Sequence, residues 1–320
     1  MQTILVPLDG SAQADSVLPY VASLARIQAA RVCLLRVLAD EYADTPVLQD
    51  SVKSYHVHEG TIVQEPAPLT LDIRRHQAEA DHHAALIALR AAGLEAALEV
   101  AVGHPAEVIV ERAAGKEMLL IAMATHGWSG LRRWALGSVT DKVIHAAPTP
   151  VFVVRSNAEP ALPAPTFQRI LVPIDQSALA RKALPRATEL AAATGAQILL
   201  LHVLTPPPML GSPDPYMSAD LSMLYANPDP ELRAHALADL QELAEQLRLK
   251  DGVVVQCEVR AGFAAEEIID AAEQRGIDLV VMATHGYSGL KRWALGSVAD
   301  KVLHACRRPL LLVRAGDVSG

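Results

Sequence analysis

The stretch from Met123 to His145 recurs from Met282 to His304, differing only at Trp128/Tyr287, Arg132/Lys291, Thr140/Ala299 and Ile144/Leu303. In each copy a glycine (Gly127, Gly286) ends an apolar run, nine residues follow, and Gly137-Ser138 or Gly296-Ser297 opens an amphipathic helical pattern. A helix start offers unpaired N–H groups and the positive end of its dipole, and glycine lets a phosphate approach the main chain closely. The predicted chemistry is a phosphate cradle, with the Ser138 and Ser297 hydroxyls adding a contact. Both serines also fit a Ser-x-x-Asp capping pattern, ending at Asp141 and Asp300, and the two roles can coexist.

Other polar groups are candidates around this loop. Asp9 and Asp175 follow the first apolar run of each half, where a carboxylate can accept hydrogen bonds from ribose hydroxyls or close an Asx turn. Arg132-Arg133 and Lys291-Arg292 have the charge to reach phosphates, although loop cations are more often simply solvated. Trp134 and Trp293 read as loop-packing residues, and His126 and His285 as solvated loop histidines. His56, His58, His76, His82 and His83 crowd one region at spacings that match no standard zinc pattern, so no metal site is expected.

Several catalytic signatures are absent from the sequence: Gly-x-x-x-x-Gly-Lys-Ser/Thr, Gly-x-Gly-x-x-Gly after the first strand, and Gly-x-Ser-x-Gly. Fast phosphoryl transfer lacks its lysine, its magnesium carboxylate and its base. Binding is therefore better supported than catalysis.

The elements that must position these residues also occur twice. Ile4-Leu-Val-Pro-Leu-Asp9 and Ile170-Leu-Val-Pro-Ile-Asp175 match at an offset of 166, as do Pro19 with Pro185 and Val37 with Val203. The later segments match at 159, which leaves seven extra residues in the first half between about Val37 and Gly103. The division expected is 1–156, a Pro/Ala-rich linker over 157–167, and 168–320. In the first half strands are predicted near Thr3 to Leu8, Arg31 to Leu38, Leu94 to Val102, Met118 to Ala124 and before Arg155. A single helix is predicted after Ser11, with Val17, Val21 and Leu24 on its apolar face, and others over Leu71 to Ala92, after Pro105, and from Ser138 to Ala146. The second half repeats this order. Loose segments, Ala39 to Thr70 and Thr205 to Asp229, follow the second strand of each half and read as flaps with little periodicity. Alternating strand and helix implies α/β domains with parallel sheets, whose ligands bind outside the carboxyl ends of the strands.

The chain has 320 residues, a formal charge of −8 and 51% hydrophobic residues. That length allows about two domains, and that charge argues against a nucleic-acid binder. No apolar run approaches a membrane span, and a cytoplasmic location is expected. Cys33, Cys257 and Cys306 are odd in number and lie in apolar segments, which suits reduced core thiols.

With Val-Pro-x-Asp at the start of each half and the glycine loops quoted above, the chain resembles a tandem universal stress protein. The family motif of its ATP-binding members, Gly-x-x-Gly, nine residues, Gly-Ser/Thr, reads here Ala124-x-x-Gly127 to Gly137-Ser138 and Ala283-x-x-Gly286 to Gly296-Ser297. The resemblance implies two flavodoxin-like, doubly wound α/β domains, each a five-stranded parallel sheet of order 3-2-1-4-5. It implies ATP as ligand, with or without Mg2+. Pro7, Leu8 and Asp9 would then border the adenosine, Val37 would hold the adenine through its main chain, and Met123 would stand near the ring. Gly127, Gly137, Ser138 and Val139 would take ribose and phosphates. Pro173, Ile174, Asp175, Val203, Met282, Gly286, Gly296, Ser297 and Val298 are the second set. Ala in place of the first motif glycine, Gln176 opposite Gly10, and Ala299 opposite Thr140 are departures, and they make the second site the weaker candidate for a triphosphate. The function implied is an ATP-binding stress-response switch with at most slow hydrolysis. The alternatives are a nucleotide-free dimerisation module and a weak ATPase. The last strands of the two halves are expected to pair as an intramolecular pseudo-dimer, and a homodimer of chains is compatible with the sequence.

Overall fold

A computed structural model describes residues 1–39, 55–58, 61–64, 71–125, 136–156, 165–205, 229–284 and 295–314. In the first half the strands are β1 (Thr3–Pro7), β2 (Arg31–Leu38), β5 (Ala96–Val102), β6 (Met118–Ala124) and β7 (Val151–Val154). Their order in the sheet is β5-β2-β1-β6-β7, all parallel, which is the expected 3-2-1-4-5. The second half repeats it with β8 (Arg169–Pro173), β9 (Gln197–Leu204), β10 (Val254–Ala261), β11 (Leu279–Ala283) and β12 (Leu310–Val313), in the order β10-β9-β8-β11-β12.

The two sheets join into one of ten strands through an antiparallel pair, with Leu310 opposite Val153 and Leu312 opposite Val151. Side chains alternate across this junction. Leu310, Leu312, Val151 and Val153 enter the core on one face of the sheet, and Leu311, Val313, Phe152 and Val154 the core on the other. Each core is therefore continuous through both halves. Tyr20, Phe152 and Phe167 meet at the seam, Phe152 and Phe167 edge to face at 6.2 Å.

The helices of the first half are α1 (Ala12–Asp15), α2 (Leu18–Ile27), α3 (Leu71–Ala91), α4 (Pro105–Ala113) and α5 (Ser138–Ala146). Those of the second are α6 (Leu184–Thr194), α7 (Pro230–Asp251), α8 (Ala264–Gln274) and α9 (Ser297–Ala305), with a 3-10 turn at Ala180–Ala183. The single helix expected after Ser11 is thus two, broken at Ser16-Val17. Pro19 has no N–H to donate to the carbonyl four residues back, so it serves as the start of a new helix and not as the middle of an old one. Pro185 does the same at the start of α6.

Ala39 to Thr70 contains more order than its composition suggests. Tyr55–His58 (β3) and Thr61–Gln64 (β4) pair antiparallel, Tyr55 opposite Gln64 and His58 opposite Thr61. Strands of four residues are too short for a period to be read from sequence. No helix of the described residues is long and apolar enough to cross a membrane.

Candidate functional site

In each half β1 or β8 lies between strands that the chain reaches in opposite directions, so the strand ends part and leave a crevice. The first cleft has a volume of about 260 Å3. It is lined by Pro7, Leu8 and Asp9 after β1, Leu35, Arg36 and Val37 of β2, Met123 and Ala124 of β6, and Gly137 to Thr140 at the start of α5. Pro105 and Ile109 of α4 close its side. The second cleft, about 590 Å3, is lined by Pro173, Ile174, Asp175, Val203, Met282, Gly296, Ser297 and Val298 among others. Small-molecule sites usually span about 300–1,000 Å3, so the second is well inside that range and the first at its lower edge.

The candidate nucleotide-site residues that lie within the described residues border one of two clefts, whereas His76, His82 and His83 line neither. Gly127, Gly286, the paired cations, His126, His285 and all three tryptophans lie outside the described residues. Met123 and Met282 are nearly buried at the cleft floors, whereas Ser138 and Ser297 are exposed.

The edge of β2 supplies main-chain groups. Leu8 donates its N–H to the carbonyl of Leu35 at 2.9 Å, and beyond Leu8 the chain leaves the sheet. The peptide groups of Val37, two residues on, face the same side past the end of β1. Leu38, pointing the other way, accepts from Gly103 at 3.0 Å. The second half repeats this: Ile174 donates to Leu201 at 2.8 Å, Gly262 to Leu204 at 3.1 Å, and Val203 faces the cleft side.

The start of α5 differs from the capping alternative. Gly137, at φ −62° and ψ 140°, is the cap residue and has no side chain of its own to cap the helix, and Ser138 is already inside it. Gly296 and Ser297 behave identically. The Ser-x-x-Asp spacing is one residue out of phase, so the serine hydroxyls are not spent on the helix. Gly137 is anchored by donating to the Thr125 carbonyl at 2.7 Å, and Gly296 to that of Thr284 at 2.7 Å.

The two aspartates do form Asx turns. Asp9 Oδ1 accepts from the N–H and hydroxyl of Ser11 at 3.0 and 2.6 Å, and Ser11 Oγ in turn accepts from the N–H of Ala14 at the start of α1. Asp175 and Ser177 repeat the pattern at 3.1 and 2.6 Å. The turn locks each carboxylate at the cleft rim.

The halves differ at two places. Arg36 borders the first cleft with its Nε buried and, among the described residues, unpartnered, while its counterpart His202 in the second has Nδ1 2.7 Å from the Ile174 carbonyl. Sequence reasoning missed this pair, though the offset of 166 aligns them. Thr140 Oγ1 donates to the Ala124 carbonyl at 3.1 Å, tying α5 to β6, and Ala299 lacks that tie. Thr140→Val removes a buried hydrogen bond at nearly constant volume, so unfolding free energy should fall by about 1 kcal/mol, read as a lower urea midpoint at unchanged slope.

Gln176 and Gly10, at matching positions, are both left-handed, at φ 65° and 82°. Gln176 is held there by donating to Asp239 Oδ2 at 2.9 Å. Among the described residues no group of three or more His, Cys, Asp or Glu side chains is placed to hold a metal ion. Cys33, Cys257 and Cys306 are free, and burial pushes each thiol up from its ordinary range, which keeps them protonated. Only Cys306 is fully buried; Cys33 and Cys257 are half-buried, not core thiols in full.

The universal stress protein family model matches residues 1–155 and again 166–314. A universal stress protein of Mycolicibacterium smegmatis is 26% identical over 328 residues, covering 97% of this chain and 96% of its own. One from Methanocaldococcus jannaschii is 31% identical over 148 residues, covering 46% of this chain and 82% of its own. Among solved structures, a universal stress protein from Archaeoglobus fulgidus superposes with a TM-score of 0.67 at 20% identity, covering 98% of both chains.

Proposed function

The chain belongs to the universal stress protein family, and from that premise we propose that each half binds one ATP and that the nucleotide state sets the conformation presented to partners. One observation carries the reading. Each cleft brings together a helix start whose cap residue is a glycine, a locked carboxylate, and a strand edge that runs past its neighbour. Such an arrangement has donors for phosphates, an acceptor for ribose and main-chain groups for a base.

In the first cleft Val37 would hold the adenine, with Pro7, Leu8 and Met123 against the ring. Asp9 would meet the ribose, and Gly127, Gly137, Ser138 and Val139 the phosphates. Val203, Pro173, Ile174, Met282, Asp175, Gly286, Gly296, Ser297 and Val298 would act alike in the second. A Mg2+ ion would be held chiefly by phosphate oxygens and water, as that ion prefers.

The reading includes an intramolecular pseudo-dimer built on the β7–β12 pair, domains divided at 1–156 and 168–320, a cytoplasmic location, and hydrolysis that is slow at most. A nucleotide-free interaction module and a weak ATPase are the competing readings. Denaturing freshly purified protein and identifying released nucleotide by chromatography and mass separates them: adenine nucleotide is expected, and its absence together with no calorimetric ATP binding would sink the proposal. Trp128, Trp134 and Trp293 are the only tryptophans, all in the duplicated loops. Saturating ATP should therefore change intrinsic fluorescence, and an unchanged spectrum would count against loop engagement.

A further inference from the structure

Each half ends its last strand on an arginine that crosses to the other half. Arg314, directly after β12, donates to the carbonyls of His145, Ala146 (3.1 Å) and Ala147 (2.6 Å) at the end of α5. Arg155, directly after β7, donates to the carbonyls of His304 and Ala305 (3.3 Å) at the end of α9. These are carbonyls that a helix cannot satisfy internally, and a cation beside them also complements the dipole.

The other ends of the same helices form the phosphate side of the clefts. Both helices have nine residues, a length at which helix formation depends on what holds the ends. The start of α5 is fixed by its own half, through Gly137 to Thr125 and Thr140 to Ala124. Its finish is fixed by the other half. A hydrogen-bonded route also leads from each cleft to the arginine that leaves it. Gly296 donates to Thr284, Thr284 donates to Val313, and Arg314 follows; Gly137 donates to Thr125, Thr125 to Val154, and Arg155 follows.

We propose that Arg314 is a positioning residue for the first cleft and Arg155 for the second, so that each nucleotide cleft is completed by the opposite half. This rests on the nucleotide reading above. Neither arginine touches the ligand; each acts by holding the helix whose start faces it.

The test uses the full chain with Arg314→Gln, Arg155→Gln and the corresponding lysine variants. ATP affinity of the first cleft is measured by calorimetry in a Gly296→Trp background, and of the second in a Gly137→Trp background. Arg314→Gln should weaken the first cleft roughly three- to tenfold and the second by less than about twofold, with Arg155→Gln giving the reverse. Lysine, which keeps the charge without the fork, should recover part of the loss and keeps the test usable if a glutamine variant fails to fold. Hydrogen exchange without nucleotide is the second readout: Arg314→Gln should speed exchange in α5 and not in α9, and Arg155→Gln the opposite. Loss at the arginine's own half, or equal loss at both, would overturn the proposal. If the parent chain binds no ATP, the nucleotide reading fails by itself, and the exchange pattern still decides whether the caps act crosswise.

Discussion

On the proposed reading, Gly137→Trp should lower the ATP affinity of the first cleft by roughly a hundredfold, equivalent to about 2.8 kcal/mol, and leave the second nearly unchanged, because phosphate contact depends on close approach to the main chain. The glycine sits at φ −62° and ψ 140°, extended backbone that any residue adopts. Bulk is therefore added without backbone strain, and the chain should fold. What changes is the access of an anion to the first turn of α5, which the indole covers. Gly296→Trp should act on the second cleft in the same way, since that glycine has φ −64° and ψ 146°. Calorimetry on each variant would read one remaining site; equal loss at both clefts from a single substitution would contradict a separate cradle in each half.

The second large effect is on stability. Phe152→Ala should cost about 3–5 kcal/mol, the range for emptying a well-packed aromatic site. Phe152 is fully buried on β7, its ring 6.0 Å from that of Tyr20 and 6.2 Å from that of Phe167, and it lies opposite Leu311 of β12. Tyr20 comes from α2 of the first half, and Phe167 leads into β8 of the second. The cavity therefore opens where the two halves share a core, and both should lose stability together in urea denaturation followed by circular dichroism. A loss below about 1 kcal/mol would mean that the seam collapses around the gap or contributes little.

Much of this architecture is legible in the sequence because it is written twice. Continuous apolar runs such as Ile4-Leu-Val and Ile170-Leu-Val belong to strands buried on both faces, and their regular alternation with helical patterns implies a parallel sheet, whereas the order of its strands is implied by the family resemblance. The clefts are legible for a related reason: Asp9, Val37 and Ala124 each stand at a carboxyl end, and the topology brings such ends together. The phase of the helix start is less legible. Ser-x-x-Asp suggests a serine cap, but the glycine before it takes that position, as only the backbone dihedrals reveal. The break at Pro19 was readable from proline chemistry, yet the apolar spacing of Val17, Val21 and Leu24 runs straight through it. Arg155 and Arg314 align at the offset of 159 as do the loops, but nothing in a one-dimensional pattern says that each crosses to the other half.

The contrast between Arg36 and His202 also carries a consequence for the two clefts. A cation borders the first, and a histidine engaged with the Ile174 carbonyl borders the second. The first cleft also keeps the Thr140 tie that Ala299 lacks, so its helix start is the better fixed of the two. On the proposed reading, both differences favour tighter triphosphate binding in the first half, although the second cleft is the roomier.

Calorimetric titration of nucleotide-stripped full chain with ATP tests the central claim most directly. Two ATP bound per chain, reduced to one by either Gly137→Trp or Gly296→Trp, is the expected result. A stripped chain that binds no ATP, or that binds one and keeps it in both variants, would contradict a nucleotide cleft in each half.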